Sequence, residues 1–174
     1  MSMLITVVEY NPNWPQEFAQ EAGRLQQVLS DTAVAIHHIG STSVPGLVAK
    51  PIIDIILEVA DLNQLDTKGD KMEALGYEVM GEFGIPGRRY FRKGGYHRTH
   101  HVHAFLLGDP NVKRHLAFRD YLIAYPAIAA DYGKLKQEVA ERSNNNIENY
   151  GDGKDPFIKL HEQKALEWYD KHIL

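Results

Sequence analysis

The sequence predicts an α+β domain in which a mixed β-sheet is flanked by helices and the C-terminal part is helical. Three observations support this prediction. Several short runs rich in β-branched and aromatic residues lie between positions 34 and 107. Apolar residues at helical spacing precede the first of these runs and separate the second from the third. From about residue 111 onward only helical patterns are found.

The first half of the chain contains, in order, a helix, two strands and a second helix. Pro15 suits the first turn of the opening helix, where a missing N–H does no harm. Residues 34–39 and 51–59 are predicted strands because both runs are β-rich. Asp61 is expected to cap one continuous second helix, which Gly76 ends.

The second half begins with strands and continues with helices. Turns rich in glycine and proline separate three predicted strands, at residues 77–83, 88–93 and 99–107. A helix follows Pro110, and Pro126 opens the next one, which runs to about Arg142. A break is predicted at residues 143–146, and Asp155-Pro156 is expected to cap the last helix.

The length and composition are those of one globular domain. With 174 residues, the chain is expected to form a single domain, 1–174, with its own core. Its net charge of −4 indicates no general attraction to nucleic acid or to anionic membranes. Cysteine is absent, which excludes disulfides, thiolate metal sites and a catalytic thiol.

The N-terminal segment and the apolar runs bear on location. The first residues do not show a cationic region followed by a long apolar one, so no signal peptide is expected. No apolar stretch approaches the roughly 20 residues that a membrane helix needs. We therefore expect a cytoplasmic protein without a membrane partner.

A glycine-serine turn between two predicted strands is the first candidate for chemistry. Gly40-Ser41-Thr42 offers bare backbone N–H groups and two hydroxyls, which together can hold a phosphate. Lys50, at the end of the same loop, can neutralise charge that develops during a transfer reaction. The segment is neither a P-loop nor a Rossmann fingerprint, and the tripeptide alone is also compatible with an ordinary turn.

Asp54 is the second candidate, because it is a lone carboxylate in the apolar run "PIIDIIL". An unpaired charge is not expected inside a buried strand. We interpret Asp54 as the ligand of a divalent cation opposite the phosphate loop, since Mg²⁺ commonly uses one or two carboxylates plus substrate phosphates. The alternative is an aspartate that caps a neighbouring turn.

The loop and the strand together resemble the nucleotidyltransferase superfamily, whose signature is Gly-Ser in a turn followed by a strand with two alternate carboxylates. Gly40-Ser41 and Asp54 match the turn and the first carboxylate. The second carboxylate should fall at position 56, which is Ile56. Glu58 lies about 13 Å from Asp54 along an extended strand, too far to share one ion. With Ile56 at this position, the strand departs from the two-carboxylate pattern of two-metal catalysis.

A closer resemblance is to the GrpB family, small proteins assigned to this superfamily and also found fused to dephospho-CoA kinases. The segments that carry it are "HHIGSTSVPGLVAKPIIDIILEV", "RRYFRK", "HHVHAF", "FRDYLIAYP" with "DYGKLK", and "YGDGKDPFI". The resemblance runs from Tyr10 to about Ile158 and so covers most of the chain. It implies a nucleotidyltransferase-like fold and leaves the substrate and the acceptor open.

Two histidines add a possible partner for Asp54. His101 and His103 share one face of a predicted strand. Two imidazoles beside a carboxylate can bind a transition metal, act as a general base or donate a hydrogen bond to a phosphate. If they form one site with Asp54, at least one of them should lie within about 6 Å of it. A polar strand that faces the solvent is the alternative.

The strand "RRYFRK" supplies the arginines. Arg89 is the predicted phosphate contact, because a guanidinium fork matches phosphate oxygens. Arg88 is expected at a solvent-exposed position of the hairpin.

These residues together predict a nucleotidyltransferase-like protein that binds a nucleotide or another phosphate-bearing small molecule, with an unknown acceptor. The catalytic candidates are Asp54 and Ser41. The expected phosphate contacts are Gly40, Ser41, Thr42, Lys50 and Arg89, and the expected metal ligands are Asp54, His101 and His103. The expected ion is Mg²⁺ or Mn²⁺, with Zn²⁺ or another transition metal as the alternative. Two other functions stay open: a catalytically inactive binding module, and a metal-dependent hydrolase that uses the histidines and Asp54.

Overall fold

The structure is a computed structural model that describes residues 6–142 and 147–172. For residues 142 and 147–154 it describes only the course of the backbone. Contacts group the chain into two compact units. The sheet unit comprises residues 13–40 and 52–112, and the helical unit comprises the described parts of residues 1–12, 41–51 and 113–174. The single domain expected for residues 1–174 stays a prediction.

The sheet unit is built on a five-stranded mixed sheet. Its elements, in chain order, are α1 (Trp14–Leu29), β1 (Ala33–Ile39), β2 (Ile53–Val59), α2 (Leu62–Asp66), α3 (Gly69–Ala74), β3 (Tyr77–Val79), β4 (Arg89–Lys93) and β5 (His100–Leu106). The strand order is β1-β2-β5-β4-β3, with β2 and β5 parallel and the other neighbours antiparallel. The predicted α+β class and the predicted mixed sheet are confirmed.

The two faces of this sheet differ in what covers them. Helix α1 packs on one face, where Phe18 stacks on His38 with ring centroids 4.8 Å apart. His38 is the register partner of Ile55, so the odd-numbered residues of β2 point toward α1. The opposite face carries Asp54, and we call it the Asp54 face.

The second predicted helix is in fact two short helices, α2 and α3. Asp61 caps α2 as predicted, since its carboxylate accepts the backbone N–H of Asn63 at 2.7 Å. Between the two helices, Thr67 donates its hydroxyl to the carbonyl of Gln64 at 2.6 Å, a contact that weakens and bends helices. Gly69, the first residue of α3, has a low helix propensity.

The helical unit contains α4 (Pro110–Ala124), α5 (Pro126–Arg142) and α6 (Ile147–His172). The first three residues of α4 still belong to the sheet unit, which ends at residue 112. The starts at Pro110 and Pro126 are confirmed. The predicted start of the last helix at Asp155-Pro156 is wrong, because α6 begins at Ile147 and contains Pro156. A helix can accommodate this residue at the cost of one backbone donor. The break predicted at residues 143–146 lies outside the described residues.

An apolar cluster forms the core of the helical unit, and it includes Leu47, Tyr121, Tyr132 and Ala165. The unit also contains a 3₁₀ turn, Ser41–Ser43, in which the N–H of Val44 donates to the carbonyl of Ser41 at 3.2 Å. Within the residues that the structure describes, no helix has both the length and the apolar character needed to cross a membrane.

Candidate functional site

The Asp54 face brings polar side chains of three neighbouring strands together. Asp54 in β2 is the register partner of His101 in β5, and Tyr90 in β4 is the partner of His103. Directly opposed residues in adjacent strands place their side chains on the same face. The strand register therefore places both histidines and Tyr90 on the face of Asp54.

Asp54 lies within reach of both imidazoles. Its Oδ1 is 3.4 Å from Nδ1 of His101 and 3.6 Å from Nε2 of His103. The predicted proximity of Asp54 to these histidines is thus confirmed. The Asp54 side chain is 29% exposed, so it stays open to a ligand.

The charge of Asp54 follows from these neighbours. Burial raises the pKa of Asp54, but the neighbouring imidazoles of His101 and His103 lower it by more, so the pKa lies well below its ordinary value. The group is therefore a carboxylate at neutral pH. An ionised carboxylate is the form that binds a cation.

Gly40, the residue after β1, packs its backbone directly against this carboxylate. Its φ is +73°, a conformation that residues with a side chain rarely adopt. A Cβ at this position would lie 2.8 Å from Oδ2 of Asp54 and 3.1 Å from its Cβ. Glycine is thus needed at position 40 for two reasons, the positive φ and the closeness of the Asp54 side chain.

Arg88 joins the cluster, although the sequence suggests an exposed position for it. The residue is only 8% exposed. Its guanidinium donates to the carbonyls of Phe83 at 2.8 Å and Glu82 at 3.2 Å, and its NH1 lies 3.3 Å from Nδ1 of His103. The exposed position expected for Arg88 is therefore wrong, because these contacts tie the side chain down.

The contact from Arg88 determines which nitrogen of His103 carries the proton. A guanidinium can only donate, so Nδ1 of His103 accepts. The proton of the neutral ring is then on Nε2, the nitrogen that faces Asp54. His103 in this arrangement acts as a donor toward the carboxylate.

Arg89, in contrast, lies on the other face of the sheet. It is the register partner of Ala104, and its guanidinium donates to both oxygens of Asp66, at 2.8 and 3.2 Å. Successive residues of a strand point to opposite faces, so Arg89 cannot join Arg88 and Tyr90 on the Asp54 face. The expected phosphate contact from Arg89 is corrected accordingly.

The remaining predicted phosphate contacts, Ser41, Thr42 and Lys50, belong to the helical unit. Thr42 is 1% exposed, whereas Ser41 and Lys50 are half-buried. Ser41 directly follows Gly40 in the chain. The phosphate-binding roles of these residues, and the catalytic role of Ser41, stay predictions.

The position of the missing second carboxylate is closed to solvent. Ile56 is fully buried and has His37 and His103 as register partners. Glu58, the next carboxylate on this face, lies 2.8 Å from Nε2 of His37 and is engaged there. The strand thus offers Asp54 no second carboxylate.

The oxygen and nitrogen donors around Asp54 decide which ion this site can hold. Asp54 together with phosphate oxygens of a ligand fits one Mg²⁺ or Mn²⁺, whereas it does not fit a two-ion centre. Among the side chains that the structure describes, those of residues 6–141 and 155–172, no three His, Asp or Glu groups are arranged to hold an ion. The roles of His101 and His103 as metal ligands stay predictions.

Tyr90 is a residue of the cluster that sequence reasoning missed. Its ring lies 5.7 Å from that of His101 and 5.2 Å from that of His103, and the guanidinium of Arg88 lies over it at 4.8 Å. Burial raises the pKa of Tyr90, so the phenol is neutral. The alternation within "RRYFRK" contained the signal, since Arg88, Tyr90 and Arg92 share one face.

Comparison with known proteins gives the family. The model of the family described as GrpB protein matches residues 4–164. The UPF0157 protein YqkA of Bacillus subtilis is 46% identical over 164 residues, which are 94% of this chain and 48% of that protein. A dephospho-CoA kinase of Mycolicibacterium paratuberculosis is 27% identical over 95% of this chain and 47% of its own length. The chain thus spans about half the length of these two relatives.

A solved structure extends this similarity to the fold. The crystal structure of the conserved protein GrpB from Enterococcus faecalis matches with a TM-score of 0.91 and 47% identity. The match covers 94% of this chain and 99% of that one. The family model, which matches most of the chain, and this close structural match agree with the predicted resemblance. The chain belongs to the GrpB family.

Proposed function

We propose that this protein binds a nucleotide or another phosphate-bearing small molecule on the Asp54 face, and that it works there as a nucleotidyltransferase-like enzyme with one divalent ion. The observation that carries the proposal is the contact between Gly40 and Asp54. A bare glycine backbone held against an ionised carboxylate joins the turn of the superfamily signature to its first acid.

Each residue of the cluster has a part in this proposal. Asp54 supplies the negative charge that holds the ion, which in turn would neutralise phosphate oxygens of the ligand. His101 and His103 orient the carboxylate from β5. Arg88 fixes the tautomer of His103 and adds positive charge beside the site.

A binding module without catalysis is the second candidate, and Ile56 favours it. Two-ion nucleotidyl transfer needs carboxylates that bridge both ions. The fully buried Ile56 leaves Asp54 without its neighbouring acid. The structure supports the hydrolase alternative less. Arg88 donates to Nδ1 of His103, so the proton of the neutral ring lies on Nε2, the nitrogen that faces Asp54. A protonated ring nitrogen cannot bind a metal ion.

Asp54→Asn tests the proposal. Nucleoside triphosphates are titrated into both proteins by calorimetry with Mg²⁺ or Mn²⁺, and pyrophosphate release is followed in parallel. The amide carries no charge to hold the ion, so we expect the metal-dependent part of the affinity to fall about tenfold or more. Turnover should be lost.

Asp66→Asn is the matched control, since Asp66 lies on the sheet unit but pairs with Arg89 on the other face. It should bind and turn over like the wild type. Binding without turnover in the wild type would support the module. If no phosphate-bearing ligand binds at all, or if Asp54→Asn binds as well as the wild type, the proposal fails.

A further inference from the structure

Unpartnered polar atoms are concentrated at one patch of the Asp54 face. Across the described residues, the buried side-chain nitrogens or oxygens that lack a hydrogen-bond partner are Nε of Arg92, Nε of Arg98 and Nε2 of His101. A buried donor or acceptor without a partner is costly, and each case in a folded protein calls for an explanation. Three such nitrogens in neighbouring residues mark this patch as a candidate binding surface.

The three residues are neighbours in the sheet unit. Arg92 in β4 is the direct register partner of His101 in β5, so their side chains stand side by side on the Asp54 face. Arg98 lies in the turn that joins these two strands. Its charge acts on Tyr90, together with the charges of Arg92 and Arg88.

Arg92 has one long ion-pair contact, and its Nε–H has no partner. Its NH2 group is 3.5 Å from a carboxylate oxygen of Glu78, longer than a normal hydrogen bond, and the Glu78 side chain is 52% exposed. Its guanidinium also lies 5.6 Å from the centre of the Phe83 ring. Neither contact occupies the buried Nε–H.

Arg88 shows what a purely structural arginine looks like in the same patch. Its Nε and NH2 donate to backbone carbonyls at 3.2 and 2.8 Å. It thereby holds the loop over Tyr90. Arg92 and Arg98 lack such partners at Nε, although they lie in the same surroundings.

We propose that Arg92 and Arg98 form an anion-binding subsite beside His101 and Asp54, and that it takes a diphosphate group. Two guanidinium forks offer N–H groups that match the oxygens of a multiply charged phosphate. Nδ1 of His101 faces Asp54, which leaves Nε2 as an acceptor for a ligand hydroxyl or a protonated phosphate oxygen.

Phe83 extends this subsite with an aromatic surface. Its ring stacks on Tyr90 at 5.3 Å, yet the residue is 53% exposed and has a φ of +48°, unusual for a side chain of this size. Strained residues of this kind cluster at ligand sites. The exposed ring beside Arg92 fits a ligand that joins an aromatic base to its phosphates. The subsite thus adds detail to the proposed function, and the identity of the whole ligand rests on that proposal.

The probe is inorganic pyrophosphate in a buffer with chelator and no divalent metal. Calorimetry compares the wild type with Arg92→Gln and Arg98→Gln. We expect each variant to bind about tenfold more weakly or worse, because it loses hydrogen bonds to a charged group. Arg89→Gln is the control, because Arg89 lies in the same strand but on the opposite face.

The outcomes separate this subsite from the proposed function. Asp54→Asn should still bind pyrophosphate without metal, because the subsite does not use the ion. Pyrophosphate binding combined with no turnover by the wild type would keep the subsite and remove the enzyme. Failure of the wild type to bind, or equal weakening in Arg89→Gln, overturns the subsite. If Arg92→Gln does not fold, Arg92→Lys keeps the charge without the fork and should still weaken binding.

Discussion

Gly40 shows how a single backbone position sets the geometry of the candidate site. Its positive φ turns the chain at the end of β1, and its missing side chain lets the backbone meet Asp54. The sequence predicts a glycine turn and a carboxylate as separate features of one motif. The structure shows that they are in direct contact, so the carboxylate and the turn should respond together to a change at either.

Gly40→Ala should therefore destabilise the fold by more than conformational strain alone. A side chain in the left-handed region costs about 1–2 kcal/mol. The clash with Asp54 at 2.8 Å adds to this, because something must shift. Urea unfolding measures the loss.

Gly46→Ala is the matched control, since Gly46 has a φ of +81° but nothing within 4 Å of the added Cβ. It should show the strain without the clash. Equal losses for the two alanine variants would mean that the contact with Asp54 contributes nothing.

The arginines show where residue-scale prediction stops. Alternation in "RRYFRK" predicts that Arg88 and Arg92 share a face and that Arg89 points elsewhere. It does not say which face carries Asp54, because that depends on the pairing of β4 with β5. Strand register is a property of the folded sheet, which is why Arg89 and not Arg88 was expected at the phosphate.

At the scale of elements, α1 is joined to the sheet by a buried charge. Glu21 is fully buried, and its carboxylate accepts from Lys93 at 2.6 Å, from Arg24 at 3.0 Å and from the hydroxyl of Tyr77. These contacts link α1 to β3 and β4 on the face opposite Asp54. Burial raises the pKa of Glu21, but Lys93, Tyr77 and Arg24 together lower it by more, so the net pKa is below the ordinary 4.5.

Glu21→Gln should cost about 1.5–3 kcal/mol of unfolding free energy at pH 7, the range for a hydrogen bond to a charged group. The pKa of the acid is depressed by folding, so its contribution is present above the unfolded pKa and is lost as pH falls through the folded pKa. The difference between wild type and variant should thus shrink below about pH 4.5.

Urea midpoints of the wild type and Glu21→Gln between pH 7 and pH 3 measure this difference in stability. Glu17→Gln is the control, because Glu17 is exposed on the same helix, and its effect should be much smaller. A difference for Glu21→Gln that stays constant across this range would contradict an ionised, paired Glu21.

Element prediction succeeded where a local pattern decides the outcome. The β-branched runs and the prolines before α4 and α5 act on their own residues, so their elements were predictable. At the break between α2 and α3, the hydroxyl of Thr67 donates to the carbonyl of Gln64, a contact that the apolar pattern of the sequence does not show. The early start of α6 likewise shows that Asp155-Pro156 can lie inside a helix as well as at its start.

For the molecule as a whole, charge is the main constraint on partners. The net charge of −4 repels polyanions, while the arginines of the Asp54 face offer positive charge only locally. Small phosphate ligands can use such a patch, whereas a long strand would also meet the acidic remainder. The family resemblance predicted the overall fold, because a long motif string constrains topology more than composition does.

We accordingly expect single-stranded RNA to bind with a Kd weaker than about 0.1 mM at physiological salt, the weak end for non-specific binding. Fluorescence anisotropy with a labelled mixed-sequence oligonucleotide measures this. Pyrophosphate, titrated by calorimetry in the same buffer, is the positive comparison. Micromolar RNA binding that falls steeply with added salt would contradict a ligand limited to small molecules.

The burial of Ile56 has a consequence for how this sequence can evolve. An aspartate placed there would put a second charge into a position with no exposed surface, between His37 and His103 and next to the ionised Asp54. Desolvation and like-charge repulsion would both oppose it. A second carboxylate at this position would therefore require compensating changes in the neighbouring strands first. A substitution at position 56 alone would lower stability before it could supply a ligand for an ion.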